Sequence, residues 1–191
     1  MLKEKLARYI QTEEEIVLFK EEKDYITKHQ LSELPIIEKE PEVRFTEAYI
    51  ERCDKETENM IRNESSSFLT QPLVYFYKHK NEFVYLESQW FDLVNVDAVS
   101  LELDDVFGTY DVMLGLKLQK KYGQKIRDFL EKELQGEKAK YDLIFNQQDG
   151  LWDLNFALNS LDGFDENMSI GEGFHLIYRF LFRLMEAMEE E

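Results

Sequence analysis

The sequence predicts an α+β protein in which N-terminal helices precede a ββαββα arrangement, with an antiparallel sheet covered on its apolar face by helices. Two observations lead to this prediction. Residues 141–159 alternate apolar and polar side chains on both sides of an Asp-Gly dipeptide, which is typical of a β-hairpin. Residues 169–189 repeat apolar side chains at helical spacing, which is typical of a helix packed on a sheet.

The hairpin is the most strongly specified element. Asp149-Gly150 is a dipeptide preferred in two-residue type I′ turns, where both central residues need positive φ. This turn predicts that Phe145 lies opposite Leu154 and that Leu143 lies opposite Phe156. One face of the hairpin is then apolar and the other mainly polar. Because a slip by one residue would mix the two faces, the turn and the hydrophobic pattern predict the same faces.

The chain of 191 residues, 43% of them hydrophobic, fits a single domain over residues 1–191 with a sizeable core. Pro35 and Pro41 interrupt the helical pattern of the N-terminal part, because proline lacks the backbone donor and restricts the residue before it. The predicted parts are a helical arm, a linker, further helices and the ββαββα core, over residues 1–30, 31–44, 45–80 and 81–191.

The first helix after the linker is predicted from Thr46, a candidate N-cap, to Arg62. Tyr49 and Cys53 fall on its apolar side. Cys53 is therefore expected to be a buried and inert thiol, with a reactive thiol as the alternative.

Four segments follow, and two of them are ambiguous. Residues 73–80 fit a short helix, with a strand as the alternative, and residues 83–87 and 94–103 read as strands. Residues 109–134 are predicted as a long helix because they are rich in Met, Leu, Lys and Gln. The alternation of residues 112–118 leaves a strand as the alternative there.

The last helix begins at a capping box, since Ser169 and Glu172 have the spacing in which each side chain satisfies the other's backbone donor. The middle of this helix is apolar almost all round. It should therefore pack on two sides, within one chain or between the sheet and a second subunit, which is compatible with a homodimer. His175 is expected to be a core or boundary residue and not a metal ligand.

The net charge of −17 is concentrated in two strand-rich segments. Residues 81–116 contain eight acids and residues 141–178 contain seven, and neither segment contains a lysine or arginine. The rest of the chain is nearly neutral. Such a field argues against nucleic acid and anionic membranes as partners, and favours a basic protein or cations. The alternative is an acidic surface that serves solubility.

The predicted sheet places polar residues together on the face away from the helices. We identify Glu102, Asp142, Asp153 and Asn155 on this face as candidate partner-binding residues, with Trp90 as an aromatic contact if it is exposed. A carboxylate or divalent-metal site among the acids, around Asp104, Asp105, Asp149 and Asp153, is the alternative.

Motifs for cofactors and catalysis do not appear in the sequence. A P-loop, a dinucleotide-binding glycine motif, a nucleophile elbow and a paired-cysteine motif are all missing, and the acids after Ser160 do not have EF-hand spacing. No catalytic residue, cofactor or metal site is predicted. A single cysteine excludes an intrachain disulfide, and the N-terminal residues lack a signal-peptide pattern, so a cytoplasmic protein is expected.

Three runs carry a resemblance to a known group: AYIERCDKET at residues 48–57, DDVFGTYD at 104–111 and DGLWDLNFALN at 149–159. The chain resembles, over nearly its whole length, a family of uncharacterised bacterial cytosolic proteins. Some members are labelled branched-chain amino acid aminotransferase. The resemblance implies a small transferase as one possible activity, and the runs contain no residue to which a catalytic role can be carried over.

Three functions thus remain open from the sequence. The first is an acidic cytosolic interaction protein of chaperone-like, regulatory or immunity type that binds a more basic protein. The second is a small enzyme of transferase type, and the third is a protein that binds a divalent cation.

Overall fold

The computed structural model describes residues 1–12, 15–136 and 140–189. Within these ranges the chain forms helices and strands in mixed order. The α-helices are α1 Leu2–Thr12, α2 Lys20–Lys28, α3 Tyr75–Lys78, α4 Gln89–Leu93, α5 Gly123–Glu133 and α6 Ile170–Glu189. The strands are β1 Ile16–Leu18, β2 Ile36–Glu38, β3 Tyr49–Asp54, β4 Met60–Glu64, β5 Glu82–Glu87, β6 Val96–Asp104, β7 Thr109–Leu116, β8 Tyr141–Asn146 and β9 Leu151–Ala157.

The main sheet has seven strands in the order β4-β3-β5-β6-β7-β9-β8, and every neighbouring pair is antiparallel. α6 packs against one face of this sheet. The rings of Phe156 on β9 and Phe180 on α6 lie 5.0 Å apart. A Cβ at Gly173 of α6 would lie only 3.3 Å from Leu158, which directly follows β9. The prediction of a mixed fold with a large antiparallel sheet is confirmed.

The element order differs from the predicted ββαββα. Residues 82–189 run strand, helix, strand, strand, helix, strand, strand, helix, because α4 separates β5 from β6 and a further strand, β7, precedes α5. The two strands predicted at residues 83–87 and 94–103 are confirmed as β5 and β6, and the segment 73–80 contains the short helix α3.

The N-terminal residues do not form a single helical arm. Two helices flank the short strand β1, and β1 pairs in parallel with β2, which lies in the predicted linker. Leu2 and Leu6 of α1 are fully buried in the same hydrophobic core as α6. The segment 31–44 also ends in Arg44, which is 4% exposed. The predicted arm and linker are therefore part of the packed structure.

Arg44 lies in a buried polar cluster that ties the N-terminal part to α6. Its guanidinium donates to Glu22 on α2, with 2.7 Å between Nη1 and Oε1, and to Glu21, with 2.6 Å between Nη2 and Oε2. The same guanidinium lies 4.0 Å from the ring centroid of Phe19 and 3.9 Å from that of Tyr178 on α6. The hydroxyl of Tyr178 also donates to Glu22.

The helix predicted from Thr46 to Arg62 is wrong, because this segment forms the hairpin of β3 and β4. The side chain of Asp54 ends β3 by accepting hydrogen bonds from the backbone N–H and the hydroxyl of Thr57, at 2.9 and 2.8 Å. Charged residues with good helix propensity fill the segment, but β5 lies beside β3 and supplies a second set of ladder partners. Tertiary pairing therefore overrides the local preference.

The long helix predicted from Thr109 is wrong in its first half. Residues Thr109–Leu116 form β7, as the alternating pattern allowed, and the helix begins only at Gly123. β7 lies between β6 and β9, so both of its edges are hydrogen-bonded. The hydrophobic core covers only one face of β7, which accounts for the buried residues at every second place along it.

The hairpin of β8 and β9 is confirmed, and its register differs by two residues from the predicted one. Phe145 lies opposite Trp152 and Leu143 opposite Leu154. Only Gly150 of the Asp-Gly pair has positive φ, at 72°, and the loop spans four residues instead of two. A shift by two residues preserves the faces, so the predicted apolar and polar sides are retained.

The capping box at the start of α6 is confirmed. The backbone N–H of Ser169 donates to Glu172 Oε2 at 2.6 Å, and the backbone N–H of Glu172 donates to Ser169 Oγ at 3.1 Å. This reciprocal pair satisfies two donors that the helix itself leaves unpaired.

Candidate functional site

The face of the seven-stranded sheet opposite α6 is the candidate site, and we call it the open face. Its centre consists of two rows of side chains that run across the strands. One row is Cys53, Phe83, Glu102, Asp111 and Ala157. The next row is Glu51, Tyr85, Ser100, Met113, Asn155 and Asp142. Apart from Cys53 and Ala157, these side chains are half-buried or exposed.

Four of the five predicted partner-binding residues lie on this face. Glu102 is on β6, Asp142 is on β8, and Asp153 and Asn155 are on β9. The register places Asp142 directly opposite Asn155. Trp90 is not on this face: it lies on α4, is 6% exposed, and packs edge-on against Phe19 with 4.8 Å between the ring centroids. Because the indole is buried, Trp90 is part of the core and does not contribute to an exposed aromatic contact.

The open face is strongly acidic. Its strands contribute seven carboxylates, at Glu51, Glu87, Glu102, Asp104, Asp111, Asp142 and Asp153. At the paired positions of the described strands, no lysine or arginine points to this face. Lys55, in the turn after β3, extends a positive charge to the open face. Its Nζ lies 3.2 Å from Glu102 Oε1 and donates to the carbonyl of Leu103 at 2.6 Å.

Glu102 and Asp111 are acids of the open face whose pKa values are raised by their surroundings. They lie opposite each other on β6 and β7. Burial raises the pKa of Glu102. The nearby positive charge of Lys55 offsets part of this increase. Burial also raises the pKa of Asp111, while a hydrogen bond of 3.0 Å from the hydroxyl of Thr109 lowers it and the nearby Asp104 raises it. The neighbours of Glu102 and Asp111 therefore do not fully offset the cost of burying their negative charges. A positive charge placed beside either carboxylate would be favourable.

Aromatic and thioether side chains lie between these acids. The hydroxyl of Tyr85 donates to Glu87 at 2.6 Å, and that of Tyr49 donates to Glu51. Phe83 and Met113 are half-buried and lie outside the main hydrophobic core. A surface that combines carboxylates with aromatic rings suits cations on aliphatic stems, because the ring faces attract the charge and the stem covers apolar area.

Two depressions interrupt the open face. One, with a volume of about 380 Å³, lies between the tip of the β6–β7 hairpin and the start of β8, and its lining includes Phe107, Asp111, Asp142 and Ala157. The other, with a volume of about 500 Å³, lies near the opposite end of the strands. The face is therefore not flat and offers places for individual side chains.

The acids considered for a carboxylate or metal site do not converge. Asp104 Oδ1 accepts from the backbone N–H groups of Val106 and Phe107, at 2.8 and 3.2 Å, and Asp149 accepts from Asn146 at the far hairpin tip. Across the described parts of the chain, no three His, Cys, Asp or Glu side chains are arranged to hold a metal ion. Among the described helices, none is both long and apolar enough to cross a membrane.

Sequence reasoning missed Glu51, Tyr85 and Asp111 as members of the face. Asp111 could have been found from the strand alternative for residues 112–118, because a strand with Val112 and Leu114 inward points Asp111 and Met113 outward. Glu51 had no comparable signal, since its segment carries a helical pattern of apolar residues.

Comparison of the chain with protein-family models, with curated proteins and with solved structures finds no match. The resemblance carried by the three sequence runs therefore stays a prediction.

Proposed function

We propose that this chain is a non-enzymatic interaction protein that binds a more basic protein segment on its open face. The observation that carries the proposal is the concentration of seven carboxylates on one face of the sheet, at strand positions that include no lysine or arginine. A chaperone-like, regulatory or immunity factor would use such a surface to hold a basic partner.

Electrostatics support a protein partner over nucleic acid. A surface of one sign speeds the approach of an oppositely charged partner and repels partners of like charge, including phosphates. The net charge of −17 adds to the repulsion of polyanions. Binding that depends on exposed charges weakens as salt is added, because the Debye length falls to about 8 Å at physiological ionic strength.

The aromatic side chains of the face support a partner with lysine or arginine side chains over simple cations. Tyr85 and Phe83 present half-buried rings next to Glu87 and Glu102. Long basic side chains can cover those rings with their aliphatic stems while their charged ends reach the carboxylates. A hydrated metal ion gains nothing from the rings.

The test is affinity capture from cell extract at low salt, followed by identification of captured proteins by mass spectrometry. Three baits are compared: the unchanged protein, the charge reversal Asp142→Lys/Asp153→Lys, and the control Asp162→Lys/Glu166→Lys. The control makes the same change of net charge at two exposed residues of the loop before α6, outside the strands that form the open face. We expect a basic protein captured by the unchanged protein and the control, lost with the open-face reversal, and released by salt.

Two outcomes would contradict the proposal. The first is that no specific protein is captured even at low salt. The second is that the two reversed variants lose the captured protein equally, since net charge alone would then account for binding.

A further inference from the structure

The main sheet ends in two edge strands of different character, β4 and β8. The ladder of β4 with β3 contains a register shift, and β4 carries the charged residues Arg62 and Glu64. Natural sheets use such irregularities and charges to keep an edge from pairing with another chain. β8 pairs with β9 over residues 141–146 without a register shift, and its sequence YDLIFN contains no lysine, arginine or proline. β8 is therefore the edge that lacks these protections.

The backbone of β8 is available to a further strand. β8 pairs with β9 alone, so the N–H and C=O groups of every second residue point away from β9. Within residues 1–12, 15–136 and 140–189, no other hydrogen bond reaches the backbone of residues 141–145. None of the side chains of β8 is fully buried, and Ile144 is 65% exposed. An exposed apolar edge of this kind is a template for strand pairing.

The side chains of β8 are complementary to a second, antiparallel copy of the same strand. When Leu143 lies on the twofold axis it faces its own copy, and Tyr141 faces Phe145 of the second copy. Because opposite residues of an antiparallel pair project to the same side, aromatic and aliphatic side chains then meet on the helix-covered side. On the open face, Asp142 faces Ile144 of the second copy. This register places no charge directly opposite a like charge.

Two charged side chains beside β8 add to this complementarity. Lys120 Nζ lies 5.6 Å from the ring centroid of Phe145, and Glu131 Oε1 accepts from the hydroxyl of Tyr141 at 3.4 Å. Both are exposed, and among the described residues neither has an ion-pair partner. Since Tyr141 faces Phe145 of the second copy, the same register brings Lys120 of each copy towards Glu131 of the other.

We propose that the edge of β8 is the interface of a homodimer, in which two copies of the chain pair antiparallel about Leu143. The two main sheets join along β8, with Lys120 of each copy beside Glu131 of the other. α6 lies outside this interface, because the sheet and the N-terminal helices cover it within one chain. Such a dimer forms without any other protein. Its two open faces lie on the same side of the joined sheet and are presented together to one partner.

Sedimentation equilibrium of the full chain tests the interface. The protein is measured over a range of concentrations at about 0.3 M salt, where screening reduces the repulsion between two copies of net charge −17. A single pair of short strands buries less than the roughly 1,000 Å² of a stable interface, so we expect a reversible dimer with a dissociation constant on the order of 100 µM. A chain that stays monomeric up to about 1 mM would overturn the proposal.

Substitutions of Ile144 test the register. Ile144→Asp places a carboxylate directly opposite Asp142 of the second copy and should weaken the dimer about tenfold, because opposite like charges are destabilising. Ile144→Lys places an ammonium there and should leave the dimer at least as strong as that of the unchanged protein. Ile61→Asp is the matched control on the other edge strand, where Ile61 is 47% exposed, and it should leave dimerisation nearly unchanged.

Two results with these variants would contradict the interface. The first is a dimer weakened as much by Ile144→Lys as by Ile144→Asp, since the register requires opposite effects of the two charges. The second is equal weakening by Ile144→Asp and Ile61→Asp, because the added negative charge alone would then account for the loss. Circular dichroism of each variant verifies that the fold is intact.

Charge reversal separates the interface from an effect on the fold. Lys120→Glu and Glu131→Lys each bring like charges together across the axis, and each should weaken the dimer about threefold. The double variant Lys120→Glu/Glu131→Lys restores opposite charges and should recover the dimer. Net charge alone would instead make the Glu131→Lys dimer stronger. A double variant that dimerises no better than either single variant would rule out the pairing across the axis.

Discussion

Arg44 and Glu22 form an ion pair inside the core, with 2.7 Å between Nη1 and Oε1 and with the two residues 4% and 0% exposed. Twenty-two residues separate them in sequence, and the hydroxyl of Tyr178 on α6 joins them. The cluster therefore holds α2, the segment before β3 and the C-terminal helix together.

Removal of Arg44 should destabilise the protein strongly. Arg44→Met leaves the buried carboxylate of Glu22 without its charge partner, and such losses cost about 3–5 kcal/mol in free energy of unfolding. The double variant Glu22→Gln/Arg44→Met should recover part of this loss, because the amide is neutral and still accepts from Tyr178. Urea denaturation measures the free energy of unfolding of the single and the double variant. Lys20→Met, which breaks the exposed pair with Asp24, is the control and should change stability little. Equal stability of the two Arg44 variants would contradict this account.

A side chain at Gly123 should clash with Trp152. A Cβ there would lie 2.5 Å from the indole Cη2 and 2.8 Å from Cζ2. Gly123→Ala would ordinarily favour a helix by about 1 kcal/mol, but forcing an atom into a packed core costs about 1–3 kcal/mol, so we expect a lower free energy of unfolding. In a Trp152→Phe background the penalty should shrink. Thermal denaturation of the single and double variants measures these changes in stability. A Gly123→Ala protein that is more stable than the unchanged protein would contradict the clash.

The loop of the β8–β9 hairpin should depend on the side chain of Asn146 and on the positive φ of Gly150. Asn146 Oδ1 accepts from the backbone N–H groups of Gln148 and Asp149, at 3.0 and 3.2 Å, and Gly150 has a φ of 72°. Asn146→Ala and Gly150→Ala should each lower the free energy of unfolding by about 1 kcal/mol. Gln147→Ala is the control. Asp149→Gly should not stabilise the protein, whereas a type I′ turn would benefit from glycine there.

The protonation of His175 should make stability depend on pH. Burial, together with the positive charge of Arg44, lowers its pKa from 6.5 to about 4. Between these two values the unfolded chain binds a proton that the folded protein does not bind. The free energy of unfolding therefore falls as the pH is lowered through this window, by at most about 1.4 kcal/mol per pH unit.

His175→Gln should reduce that dependence. Urea denaturation of both proteins at several pH values between 4 and 6.5 gives the comparison. His29→Gln is the control for the loss of an imidazole, since His29 is exposed at the end of α2. An unchanged slope in His175→Gln would contradict a neutral buried imidazole.

Cys53 should react slowly with thiol reagents. Burial, together with the neighbouring Glu51, raises its pKa to about 11. At mildly alkaline pH this lowers the thiolate fraction on the order of a hundredfold relative to an ordinary thiol. Labelling of the native protein should therefore be slow and should reach the rate of a free thiol only in denaturant. Rapid labelling of the native protein would instead support a reactive cysteine.

The sequence alone determined those features whose interactions are local. The β8–β9 hairpin, its apolar and polar faces, and the capping box of Ser169 and Glu172 follow from turn residues and side-chain spacing. The uneven distribution of acids is also a property of the sequence. The alternation along the predicted strands placed Glu102, Asp142, Asp153 and Asn155 among the candidate residues.

Only the tertiary structure decided which segments became central strands. β3 and β7 are each flanked by two strands, and those neighbours supply backbone hydrogen bonds that no local pattern contains. The pairing of β7 with β9 joins Asp111 to Ala157, 46 residues later, and thereby forms the depression of the open face. The tertiary structure also buried Trp90, because Tyr9 of α1 and Phe19, which directly follows β1, pack against its indole. Long-range pairing decided these features because a short segment can satisfy its own backbone as a helix, whereas a strand needs partners from elsewhere in the chain.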